Sequence, residues 1–380
     1  MIPGLDGIRA IAFLLVFAMH TDYLMFGWVG VLLFFVLSGF LITDILIRMK
    51  ETLPARAYFI KFYGRRFLRI FPLYYFYLFA MLLISALLLA AQFRPDYMRM
   101  FQDQVRYAIF YVYDFFSAGA GFVEHRFLGH FWSLSVEEQF YIVWPLAILL
   151  TPRKFYRQLF LGAIILGPLA RFGLAYAFNH ALFGLPYGAA PQGIYVLPFS
   201  HIDAFGLGAY ISRFEIPRPR WQLAGLTILL PLAGYVSQFW ATGSIGDPTA
   251  LGFVHPLANN LKHVWGYSLL NYFFALLIYN VVKEKLFVRW LELPFLRYLG
   301  KISYGLYVYH YAIIWFVTRL RELNLPESLN KPLIALLSFA LTLAVAALSY
   351  RWLEAPLIGL KDRYFANRPP GIISPKGISS

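Results

Sequence analysis

The stretch GIRAIAFLLVFAMH, Gly7–His20, decides how the rest of the chain is read. Everything between Arg9 and His20 is apolar, which suits the core of a bilayer. An arginine and a histidine are both costly there unless they serve a purpose. Eleven residues separate the two. Eleven helical steps of about 100° return to within about 20° of the start, so Arg9 and His20 share one face about three turns apart.

The surrounding chain fits a membrane reading. It has 380 residues, 60% hydrophobic and 19% aromatic, and only 14% are charged, against about 25% in a typical soluble protein. Apolar runs long enough to cross a bilayer recur from end to end. The first of them lacks a Lys-rich leader, and the bulky HTDYLMFGW follows it, so it reads as a retained helix and not a signal peptide. Cysteine is absent, which excludes disulfides, thiolate metal sites and an S-acyl enzyme intermediate. The formal charge of +14 is what basic cytoplasmic loops produce, and no nucleic-acid partner is expected.

The predicted fold is an all-α, polytopic membrane helix bundle of about ten transmembrane helices: 5–26, 28–47, 71–91, 130–150, 159–178, 193–212, 221–240, 264–282, 297–318 and 332–350. With both termini cytoplasmic, 24 Lys and Arg fall inside, 8 fall outside, and Arg171 lies within a span, as the positive-inside rule asks. The apolar segment 105–122 would invert that balance if it crossed, so it is predicted to be a re-entrant or interfacial helix. Residues 1–357 form one transmembrane domain and 358–380 a basic cytoplasmic tail.

Ionisable residues cluster at one predicted depth. At about 1.5 Å of rise per residue, Glu137 and Glu138 lie about 10–12 Å below the outer surface. His20, His201, Asp203, His310 and Arg171 reach the same level from four other spans. His201 and His310 each fit either a packing hydrogen bond or a substrate contact, and Arg171 either pairs with a carboxylate or contacts substrate. The framing Trp and Tyr residues read as interface anchors. Between the second and third spans a predicted loop, RAYFIKFYGRRFLRIFP, carries Lys61, Arg65, Arg66 and Arg69. Arg65 and Arg69 are four apart on one helical face, and the stretch reads either as a membrane-surface amphipathic helix gripping anionic headgroups or as a phosphate site of guanidinium forks.

These motifs together resemble the acyltransferase 3 family, bacterial integral-membrane enzymes that O-acetylate surface polysaccharides. The likeness rests on Arg9 and His20, then FFVLSGFLI, RRFLRIFPLYY, FWSLSVEEQFYIVWP, HIDAFGLGAY, LGKISYGLYVYH and SYRWLEAPL, in order from residue 4 to about 357. Two departures stand out. The chain has no room after the last span for the serine-hydrolase-like domain many members carry, and Glu354, Ala355, Pro356 stand where many read Glu-Arg-Pro.

The resemblance implies a multi-pass protein of the bacterial inner membrane. It would use acyl-CoA, here acetyl-CoA, as co-substrate with no permanently bound cofactor and no metal. The other partners would be membrane lipids and a glycan or lipid-linked sugar acceptor. Arg9 and His20 are the implied essential residues, with Arg65, Arg66 and Arg69 at the cytoplasmic face binding the CoA phosphates. On this reading His20 is the general base, oriented by Glu137 or Glu138, with a covalent acyl-His relay also open. His201, Asp203, His310 and Arg171 are the candidate substrate contacts. The rival reading is a glycan or lipid transporter or flippase, since intramembrane charges mark substrate pathways too. A transporter of inverted-repeat design would show matching broken helices in its halves, and no internal repeat is visible.

Overall fold

The computed structural model describes residues 2–257, 261–319 and 326–365. Its helices are α1 (Leu5–His20), α2 (Val29–Thr52), α3 (Ala55–Ala90), α4 (Pro95–Ile109), α5 (Tyr113–Ser117), α6 (Phe131–Leu150), α7 (Tyr156–Asn179) and α8 (Ala190–Val196). They continue with α9 (Ile202–Arg213), α10 (Pro219–Thr242), α11 (Lys262–Val282), α12 (Val288–Leu291), α13 (Pro294–Lys301), α14 (Ser303–Val317), α15 (Glu327–Ser349) and α16 (Ala355–Tyr364). A turn of π-helix, Tyr350–Glu354, joins the last two. No strand occurs among the described residues. Most of the predicted basic tail, residues 366–380, lies outside them.

The protein is a multi-pass membrane bundle. Six helical stretches are long and apolar enough to cross a membrane by themselves, or seven when α8 and α9, bent by 66°, are taken as one span. The sequence suggested ten, and the difference lies in α1, α6 and α14. Helix α1 has 16 residues and α14 has 15, about 22–24 Å of rise against a hydrocarbon core of about 30 Å. Helix α6 is long enough but carries Glu137, Glu138 and Gln139. Helices α1 and α14 are interior elements, with α1 packed on α2, α13 and α14; α6 packs its polar half on α2 and α5 and leaves Ile142, Val143, Leu146 and Leu150 exposed. Short or polar segments are tolerated at membrane depth where protein surrounds them. The lipid side is presented also by α3, α7 and α10, whose Phe79, Leu87, Ile165, Phe172, Ile228 and Trp240 are exposed.

Helix α2 is the central post, and glycine lets α9 lie against it. A Cβ on Gly39 would stand 2.3 Å from the Phe205 carbonyl oxygen, and one on Gly208 would stand 2.1 Å from the Val36 carbonyl oxygen. The two backbones are therefore in direct contact, the close approach that small residues allow in membrane helices.

Two predicted segments differ in the structure. The basic stretch is helical as expected but is not separate from the third span: α3 runs unbroken for 36 residues from Ala55, about 54 Å, so Arg65, Arg66 and Arg69 lie toward one end of a spanning helix. The segment 105–122 is not one helix: α4 stops at Ile109, and the five-residue α5 follows. Neither is long enough to cross. Asp114, which interrupts the apolar run, is fully buried and accepts from Gln139 Nε2 at 3.0 Å, tying α5 to α6.

Candidate active site

His20 closes α1, and its ring is held by α14. His310 Nδ1 lies 2.6 Å from the Tyr307 carbonyl oxygen, and His310 Nε2 lies 2.9 Å from His20 Nδ1. A carbonyl can only accept, so His310 Nδ1 carries the hydrogen. With both rings neutral, His310 Nε2 must then accept from His20 Nδ1, which leaves the lone pair of His20 on Nε2. One face of His20 stacks on Tyr311, with centroids 4.2 Å apart, and Phe13 packs edge-on against His310. The free nitrogen is thus fixed in tautomer and direction by α14 alone.

His20 faces a cavity of about 570 Å³ that His130, Glu124, Arg126, Asp22, Gln192 and His255 also line. Trp28, Tyr195 and Tyr311 complete its walls. Tyr311 donates to Glu124 Oε2 at 3.0 Å, and the Arg126 guanidinium lies 4.9 Å over the Tyr311 ring. In the loop before α6, burial raises the Glu124 carboxyl. In the loop before α11, burial holds His255 at about 4, so it is a neutral hydrogen-bonding group. His130 Nε2 donates to the Val308 carbonyl at 3.2 Å, leaving a buried Nδ1 lone pair with no partner among the described residues. The walls are aromatic faces with a few placed polar groups, the usual make-up of a small-molecule site.

A second cavity, of about 210 Å³, lies toward the Arg9 end of α1. Arg9, Arg66 and Arg69 line it, with Glu137, Ser38, Tyr141, Ser303 and Tyr304. Arg9 donates to Asp6 at 2.5 Å, and Arg66 sits 5.4 Å over the Tyr141 ring. Glu137 accepts from Ser38 and Tyr141. The lining itself holds three guanidinium groups and one carboxylate, with Asp6 on Arg9, Glu138 near Arg66 and Glu354 near Arg69 acting from outside it, so the groups that face the open space are mainly cationic and suit an entering anion. Val31 and Tyr307 are the residues that line both cavities.

The polar layer foreseen from depth alone divides into three groups. His20 and His310 meet, although His310 stands behind His20 and does not line the cavity. Glu137 belongs to the arginine chamber and is not the partner of His20; its carboxylate is taken by Ser38 and Tyr141, and an imidazole fills the orienting place. Glu138, the next residue, points about 100° round the helix from Glu137 and lines neither cavity. Arg171 and Asp203 are fully buried in a bidentate pair at 2.9 and 2.8 Å, and Arg171 also bonds Ser200, Val264 and Ser268. His201 Nε2 donates to the Tyr195 carbonyl at 2.8 Å. Arg171 and Asp203 hold α7, α9 and α11 together, His201 ties the start of α9 to α8, and none of the three lines either cavity. Arg65 turns toward the C-terminal segment, where it donates to the Phe365 carbonyl at 3.1 Å.

Sequence reasoning missed His130, Glu124, Arg126 and Tyr311. His130 was within reach, since it caps the quoted FWSLSVEEQ helix at the depth of the other histidines. Tyr307, Tyr311 and Trp28, of the class taken for interface anchors, prove to be cavity walls.

The acyltransferase 3 family model, described as an acyltransferase domain, matches residues 2–351. Among curated proteins the chain is similar to the peptidoglycan O-acetyltransferase OatA of Listeria monocytogenes, 27% identical over 97% of this chain and 60% of that protein. It is also similar to the O-acetyltransferase OatA of Staphylococcus aureus, 26% identical over 97% of this chain and 59% of that one. The chain thus spans about 60% of the length of these relatives. No solved structure matches it.

Proposed function

The chain belongs to the acyltransferase 3 family, and from that footing we propose that it is a membrane O-acetyltransferase moving acetyl from acetyl-CoA to a glycan hydroxyl. The relatives' names point to a cell-wall glycan as acceptor. The observation that carries the reading is the pair of neighbouring chambers that share Val31 and Tyr307 as walls, one rich in arginine and one holding a histidine with a fixed, free Nε2. The bundle crosses the bacterial inner membrane ten times with both ends cytoplasmic, α1, α6 and α14 completing the count and residues 1–357 forming the catalytic domain. The arginine chamber then opens inward and the histidine chamber outward.

Arg9, Arg66 and Arg69 bind the CoA phosphates, and the pantetheine arm runs along α1 toward His20, about 16 Å away by helical rise. The glycan hydroxyl sits in the outer chamber against aromatic faces. As its oxygen attacks the thioester carbon, its proton passes to His20 Nε2. The C–S bond breaks, the C–O bond forms, and the proton goes on to the departing thiolate. His310 Nε2 accepts from His20 Nδ1 throughout and so supports the imidazolium, the part a carboxylate plays in a triad.

Membrane vesicles test donor and orientation together. Inside-out vesicles bearing the protein should consume labelled acetyl-CoA from the medium, and right-side-out vesicles should not. If neither consumes it while the protein is present and folded, the donor assignment is wrong.

A further inference from the structure

The arginine and histidine chambers have in common the side chains of Val31 on α2 and Tyr307 on α14. Resting on the acyltransferase reading, the thioester carbon comes from one chamber and the hydroxyl from the other. They can meet only at the wall both chambers share, so whatever acyl group the donor carries must be accommodated there.

Tyr307 cannot easily give way. Its hydroxyl lies 2.6 Å from Ser133 Oγ, Phe34 packs against its ring, and its carbonyl accepts the His310 Nδ1–H that sets the tautomer of His20. Moving Tyr307 would disturb the base. Val31 is different: it is 5% exposed and has no polar group. It sits two residues into α2, and a β-branched side chain in a helix is held in one dominant rotamer. It is a stiff apolar stop facing a pinned aromatic ring.

We infer that Val31 sets the length of the acyl group, passing acetyl and rejecting longer chains at the wall it forms with Tyr307. The ligand class is therefore a short-chain acyl thioester. One methylene more or less against an apolar wall is worth about 10–200-fold in discrimination, so trimming Val31 should relax selectivity by that order.

The experiment compares kcat/KM for acetyl-, propionyl- and butyryl-CoA in the full-length protein. Val31→Ala should raise the butyryl-to-acetyl ratio at least tenfold. Val31→Phe should slow acetyl transfer while CoA binding, followed by titration with desulfo-CoA, stays within about twofold. Val31→Thr, equal in size, should keep the native ratio and shows that the effect follows volume. Folding of each variant is checked by its unfolding temperature. A butyryl-to-acetyl ratio unchanged in Val31→Ala, or acetyl transfer undiminished in Val31→Phe, overturns the inference while leaving the reading of the enzyme in place. A native protein that uses no acyl-CoA at all overturns both.

Discussion

The two chambers on either side of Val31 and Tyr307 are made of opposite materials. The one near Arg9 is lined by three guanidinium groups on α1 and α3 and one carboxylate, Glu137. The one near His20 is lined by aromatic rings, histidines and a few polar groups, and its key ring is held through neutral hydrogen bonds. The first can bind charge, and the carboxylate in its lining, Glu137, is taken up by Ser38 and Tyr141. The second has a nitrogen with its lone pair aimed by two hydrogen bonds in series. A single helix, α1, supplies one essential element to each, and this explains why one apolar helix carries both an arginine and a histidine.

A third charged region sharpens the contrast. Arg171 is fully buried, yet Asp203, Ser268 and the Ser200 and Val264 carbonyls take up its Nη1 and Nη2 donors, and only Nε is left without a partner among the described residues. Burial of charge alone does not mark a site; charge facing open space does. Arg171→Ala should therefore cost about 3–5 kcal/mol of stability by stranding Asp203, seen as a large fall in unfolding temperature. The acetyl-CoA KM of the protein that remains folded should move less than twofold. A KM change of tenfold or more would place Arg171 with the chamber arginines and break the comparison.

A smaller effect is expected at His310. His310→Ala removes a hydrogen bond to a group that becomes charged, worth about 1.5–3 kcal/mol, or about 10–150-fold in turnover. His310→Gln offers an oxygen that can accept from His20 Nδ1 and should recover much of the loss, with donor KM unchanged in both. Equal losses in the two variants would mean that the ring serves packing and not the tautomer.

The reach of the sequence can be judged from the same residues. Helical periodicity put Arg9 and His20 on one face at the right separation because that relation is local and follows from the pitch of a single helix. Rise per residue likewise gave an expected depth. What depth lacks is azimuth: seven ionisable residues at one level can face seven directions. His20 meets His310 across 290 residues, a relation set by how α1 and α14 pack, and no spacing encodes it. For the same reason Glu137 looked like a partner for His20 when it belongs to the arginine chamber. The multi-pass helical class was plain from composition. The helical register of the basic stretch was legible, but its charge set it apart from the apolar span, and its continuation through Phe67 and Phe71 into one helix was not.

Donor affinity and turnover measured side by side, in His20→Ala and Arg69→Gln, test the division between the chambers most directly. His20→Ala should lose about 10²–10⁴-fold in turnover while binding acetyl-CoA as the native protein does. Arg69→Gln should bind acetyl-CoA about 10–100-fold more weakly, as expected for one lost charge-assisted bond, and keep most of its turnover at saturating donor. If instead both variants lose affinity and turnover together, on protein of unchanged unfolding temperature, the chambers do not divide binding from chemistry and the account is wrong.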